Sequence, residues 1–185
     1  MRLPKLGLPG LGFFLVCGLA AAPARAADAA GLDLTTATCA AMQREGAVLN
    51  PRNLAPAYAG RAAAKSGHAR LSADLVKTIA DTLRRGCEGA EAKDRKLVDL
   101  LAGVAFPAKS DTDHDFATLT CAQLAPLWKE QARVIVPFLV ALRDAAANTP
   151  LARAGLDQVG ENLPKTCRAA GNAAKLVTDL VKTLP

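Results

Sequence analysis

Asp33-Leu34-Thr35-Thr36-Ala37-Thr38-Cys39-Ala40 and Asp115-Phe116-Ala117-Thr118-Leu119-Thr120-Cys121-Ala122 are one phrase written twice, 82 positions apart. They share the Asp, two Thr residues, Cys and Ala, and each has an apolar residue after the Asp. A second cysteine follows 48 residues on at Cys87 and 46 residues on at Cys167, with Ile79 and Leu83 lying over Val159 and Leu163 ahead of them. Lys96 to Leu100 then echoes Lys175 to Leu180 with one residue inserted. The pattern reads as a tandem duplication, with one unit over 27–106 and another over 107–185. A polar linker containing Pro107 and Lys109 joins them at about 106–113. A unit that once folded alone would close its own bridge, which selects Cys39–Cys87 and Cys121–Cys167 from the three pairings that four cysteines allow. Each closure removes about 4 kcal/mol of denatured-state freedom, a large share of the stability of so small a unit.

Each unit reads as helical. Thr120-Cys121-Ala122-Gln123 has the form of a capping box, and Leu124, Leu127, Trp128, Ile135, Phe138, Leu139 and Leu142 follow at helical spacing. Pro126 and Pro137 each remove an amide donor, so a kink or a break is expected near one of them. Val134-Ile135-Val136 alone has strand character, but no alternating partner run accompanies it. In the first unit Ser72 caps a helix carrying Leu75, Val76, Ile79 and Leu83, which ends at Arg84-Arg85-Gly86. A last helix is expected from Asn172, burying Leu176, Val177, Leu180, Val181 and Leu184. The expected fold class is therefore all-α, two tandem small helical units with one disulfide each.

Composition bounds the rest. At 51% apolar and 22% charged the chain is too hydrophobic for disorder, but aromatics are only 4%, so Ala fills much of a thin core. Arg2 and Lys5, the apolar run from Leu11 to Ala22, and Ala24-Arg25-Ala26 form a secretory signal expected to be cleaved after residue 26, taking Cys17 with it. The run is shorter than the roughly 20 residues of a membrane-spanning helix, so no membrane association is expected afterwards. Removing Arg2, Lys5 and Arg25 from 23 basic residues leaves 20 against 17 acids, a net +3, with no basic run interleaved with aromatics. Nucleic acid is therefore not an expected partner. Four remaining cysteines in an exported chain point to an oxidising compartment, the periplasm.

No chemistry-bearing constellation stands out. Asp111, Asp113 and Asp115 alternate like the opening of a calcium loop, but Phe116 and Ala122 occupy positions that need Gly and Glu, so the acids read as solvated linker charges. His68 and His114 read as lone exposed residues, and no CxxC or Cys-His cluster has metal spacing. Ser66, Ser72 and Ser110 lie outside any GxSxG context. Asp81, Glu88, Glu91 and Asp94 read as helix-surface acids. No enzyme activity, cofactor or metal is expected.

Thr38-Cys39-Ala40-Ala41-Met42 with Pro51 beyond, the Cys39-to-Cys87 spacing, and Thr120-Cys121-Ala122-Gln123-Leu124 through Phe138-Leu139 resemble the HdeA/HdeB family of periplasmic acid-stress chaperones. The likeness extends over 33–101 and 115–181. It implies a small disulfide-clasped helical fold and a holdase, idle near neutral pH, whose partners are unfolded or acid-denatured periplasmic proteins. Family members are dimers that loosen in acid. Two units in one chain depart from that pattern, giving an intramolecular pseudo-dimer or a homo-oligomer of two-unit chains.

Acid would carry the mature chain from +3 toward 20 Lys and Arg charges plus two His charges, because most carboxylates protonate below about pH 3. Strained packing would then uncover Val134, Ile135, Phe138, Leu139 and Leu142 as a client-binding surface. The competing reading is a specific inhibitor- or immunity-type binding protein of the same fold. A third is a small enzyme with its cleft between the units.

Overall fold

The computed structural model describes residues 31–43, 51–145, 147 and 149–184; the expected signal segment and Cys17 lie outside the described residues. Among those residues run α1 (Cys39–Gln43), α2 (Pro51–Lys65), β1 (Arg70–Leu71), α3 (Ala73–Gly86), α4 (Leu97–Leu100), β2 (His114–Asp115), α5 (Cys121–Asp144), α6 (Arg153–Arg168) and α7 (Val177–Thr183). The fold is all-α apart from the short β1–β2 ribbon, and its disulfides are Cys39–Cys87 and Cys121–Cys167, with Cα atoms 5.3 and 5.1 Å apart.

Local signals act where the sequence places them. The Ser72 hydroxyl accepts from Leu75 N–H at 3.4 Å, α3 buries Leu75, Ile79 and Leu83, and Arg84 and Arg85 lie in its last turn against the negative end of the helix dipole. At the start of α5, Gln123 Oε1 accepts from the Thr120 N–H at 2.9 Å and from its hydroxyl at 3.1 Å. Two expectations need correction. α5 runs unbroken through Pro126 and Pro137, so neither breaks the helix, and 134–136 are helical, as the lack of a strand partner implied. Fully burying Ile135, Phe138, Leu139 and Val140 contributes about 1.5–3 kcal/mol each, together enough to offset the roughly 3 kcal/mol that each of the two internal prolines costs. The last helix starts at Val177 rather than Asn172, because Asn172 closes α6 instead. Its Nδ2 donates to Thr166 O at 2.7 Å, beside Gly171 in the left-handed region at φ +82°. That helix buries Val177, Leu180 and Val181, and leaves Leu176 and Leu184 half-buried.

The duplication is written into the main chain. In the first half Cys39 N–H donates to Arg95 O (3.0 Å), Ala40 N–H to Lys93 O (2.8 Å) and Leu97 N–H to Ala37 O (2.9 Å). In the second, Cys121 donates to Lys175 O (3.1 Å), Ala122 to Ala173 O (3.0 Å) and Val177 to Leu119 O (2.9 Å). These bonds place Leu97 over Val177 and Lys96 over Leu176, so the echo needs no inserted residue. The shared Asp residues make matching turns: Asp33 Oδ1 accepts from Thr35 N–H (2.8 Å) and Asp115 Oδ1 from Ala117 N–H (3.0 Å).

The halves share one core. Leu32 and Leu151 exchange two main-chain hydrogen bonds of 2.8 Å, and β1 pairs antiparallel with β2, Leu71 opposite His114. Leu32 matches His114 and Leu151 matches Leu71 in the repeat, so each half lends the residue before its Asp turn to the other, a reciprocal arrangement like that across a two-fold interface. α2 is buried around nearly its whole circumference and packs chiefly on α5. Small residues permit this: Ala55, Ala57, Ala59 and Ala63 are buried, and a Cβ built on Gly60 would lie 3.0 Å from the Phe138 carbonyl carbon and closer still to its oxygen. The Ala-rich composition therefore serves close helix approach.

The segment 106–113 is tied down. Arg70 donates through Nη2 to Pro107 O at 2.6 Å and pairs through Nη1 with Asp113 Oδ2 at 3.5 Å, and the Asp113 side chain is only 1% exposed. Asp113 is thus no solvated linker charge. Among the described residues it is Arg70, on the short β1, that brings a cation to it. Asp111 is exposed as expected, and His114 is half-buried in β2 rather than exposed.

Candidate functional site

The apolar face of α5 carries the five expected client-binding residues. Ile135, Phe138 and Leu139 are fully buried, and Val134 and Leu142 half-buried. Phe138 lies at the α2–α5 seam, its backbone against Gly60 and its ring 5.4 Å from Phe116 at 38°. Tyr58, its counterpart on α2, donates its hydroxyl to Leu34 O at 2.8 Å, and Leu34 is the repeat equivalent of Phe116. Burial pushes the Tyr58 phenol well above its ordinary pKa, so it remains a donor. In the folded form Ile135 and Phe138 are therefore closed to a client.

Leu139 and Leu142 also line a groove of about 410 Å³ bounded by the end of α2, α5 and α7, with His68 and Lys182 among its polar lining. That volume falls within the range of pockets that hold small apolar ligands or side chains. Arg143 supplies its polar end. Nε donates to Asp144 Oδ1 at 2.6 Å and Nη2 to Oδ2 at 3.3 Å, while Nη1 is buried without a hydrogen-bond partner among the described residues. The groove thus offers an apolar bed with charged residues at its rim. Val134, Ile135 and Phe138 are not part of its lining.

Carboxylates sit at or beside both joints between the halves. Hydrogen bonds from the Thr35 hydroxyl (2.6 Å) and N–H (2.8 Å) hold Asp33 below the usual carboxylate range. Asp113 and Asp115 flank His114 in the β1–β2 joint, Asp113 paired with Arg70. The Arg70–Asp113 and Arg143–Asp144 pairs and the Gly60 approach were missed from sequence. The adjacent Arg143-Asp144 beside an apolar stripe was a usable signal; the other two depend on residues distant in the chain. Among the described residues no group of three or more His, Cys, Asp or Glu side chains could hold a metal, and no helix is long and apolar enough to cross a membrane. Comparison of the chain with protein-family models, curated proteins and solved structures found no match.

Proposed function

We propose that this chain is a non-enzymatic periplasmic acid-stress holdase of the HdeA/HdeB kind, built as an intramolecular pseudo-dimer that binds unfolding proteins at low pH. One observation carries the reading: on the apolar face of α5 the Phe138 backbone meets Gly60 of the other half and Leu139 lines the groove at the end of α2, and neither disulfide crosses between the halves. Each half can then stay clasped while the seam between them opens. One joint that opposes opening carries the Arg70–Asp113 ion pair, and the Leu32–Leu151 joint adjoins the Asp33 turn, whose carboxylate holds the Thr35 donors best when charged. Rising positive charge pushes the halves apart and keeps a client complex dispersed. The disulfides suit an oxidising compartment such as the periplasm.

The test is light scattering from two unrelated acid-labile proteins at about pH 2.5 and, after heating, at pH 7, with and without the oxidised chain. Suppression in acid alone supports a holdase; none in acid overturns it. The groove lined by Leu139 and Leu142 favours a second reading, a specific binding protein, because it is open in the folded form. That reading requires saturable binding of one partner at neutral pH.

A further inference from the structure

We propose that Cys121–Cys167 is a redox-exchangeable bridge, opened by a small anionic thiol that enters the groove above it and attacks Cys167. The two disulfides differ in access. Cys39 and Cys87 are 0% and 4% exposed, whereas Cys167 is only partly buried although its partner Cys121 is 2% exposed. A groove of about 190 Å³ lies over the second bridge, lined by both cysteines and by Trp128, Pro164, Lys129 and Arg168 among others. Its charged lining is cationic: Lys129 and Arg168 line it, and no acid does. A thiolate is the nucleophile in disulfide exchange, so this rim draws in the reactive form and favours a thiol carrying further negative charge.

The leaving group is placed as well as the entry. Attack on the Cys167 sulfur forms a new S–S bond there and expels the Cys121 sulfur with the electron pair of the old bond, as a thiolate that then takes a proton from water. Cys121 is the first residue of the 24-residue α5, where the helix dipole stabilises an anion. Cys39 opens a helix of only five residues. A second thiol of the same reagent then attacks the mixed disulfide and releases Cys167. The two electrons that reduce the bridge come from two thiols, which leave joined as their own disulfide. This unclasps α6 from the start of α5 while Cys39–Cys87 still closes the first half. It is independent of the holdase reading, since it concerns neutral pH and needs no client.

The experiment treats the oxidised, folded chain at pH 7 with 2-mercaptoethanesulfonate, traps free thiols by alkylation, and maps adducts and alkylated cysteines by mass spectrometry. The expected result is an adduct on Cys167 with alkylated Cys121, formed at least tenfold faster than opening of Cys39–Cys87 in the same molecules. The change should be tracked by fluorescence of Trp128, the chain's one tryptophan. Because both side chains lie at the surface of the groove, the double variant Lys129→Glu/Arg168→Glu should fold normally, checked by circular dichroism. It should slow the anionic thiol several-fold at this bridge alone and leave the rate with neutral 2-mercaptoethanol little changed. Equal rates at the two bridges, faster opening of Cys39–Cys87, or an adduct on Cys121 would overturn the proposal.

Discussion

Gly60→Ala is the sharpest probe of the seam. Inside an exposed helix the substitution would stabilise by about 1 kcal/mol. In α2 the new methyl meets the carbonyl carbon of Phe138 at 3.0 Å and its Cα at 3.1 Å, and the obstructing atoms are main chain in a helix that cannot swing aside. Overpacking costs about 1–3 kcal/mol, and an immovable obstacle puts this site at the upper end, so the net loss is about 2 kcal/mol. For a chain of this size that is a fall in Tm of about 4–8 °C. Gly160→Ala is the matched control: it also lies inside a helix, where its nearest neighbour is the Val136 Cγ2 at an ordinary 3.9 Å, and it should gain about 0.5–1 kcal/mol. Thermal and urea unfolding followed by circular dichroism at pH 7 measure both. A Gly60→Ala chain as stable as the parent would refute the close α2–α5 approach and the seam with it. If the seam is also what acid opens, Gly60→Ala should begin to bind a hydrophobic dye at a higher pH than the parent.

Three further outcomes follow from the same geometry. Phe138→Ala removes a fully buried ring that stacks on Phe116, and should cost about 3–5 kcal/mol in urea unfolding, far more than Leu142→Ala at the half-buried end of the stripe. Arg70→Met strands the buried Asp113 carboxylate and should lose about 3 kcal/mol, whereas Arg70→Met/Asp113→Leu should recover much of that loss; equal losses would mean the pair is not coupled. Asp33 is held below its ordinary pKa by the Thr35 hydrogen bonds, so its contribution is present above the unfolded value near 4 and disappears as pH falls through the lower native value. Asp33→Asn should therefore be less stable at pH 7 and show a shallower loss of stability below about pH 4, and urea midpoints that fall in parallel with the parent's would count against this.

The all-α class, both disulfide pairs, the Ser72 and Thr120 helix starts and the repeat itself were legible in the sequence, because caps, periodicity and cysteine spacing act over a few residues or within one unit. Each depends on the order of side chains along the chain. The tertiary structure alone decided how the two halves join. Pro137 reads locally as a helix breaker, yet the packing of α5 on α2 keeps the helix intact. Asp113 reads as a linker charge until β1 brings Arg70 to it, and Gly60 is unremarkable until Phe138 arrives from the other half. Those contacts join residues more than 40 positions apart and depend on where whole helices settle, a placement set by burial of a shared core that no local pattern records.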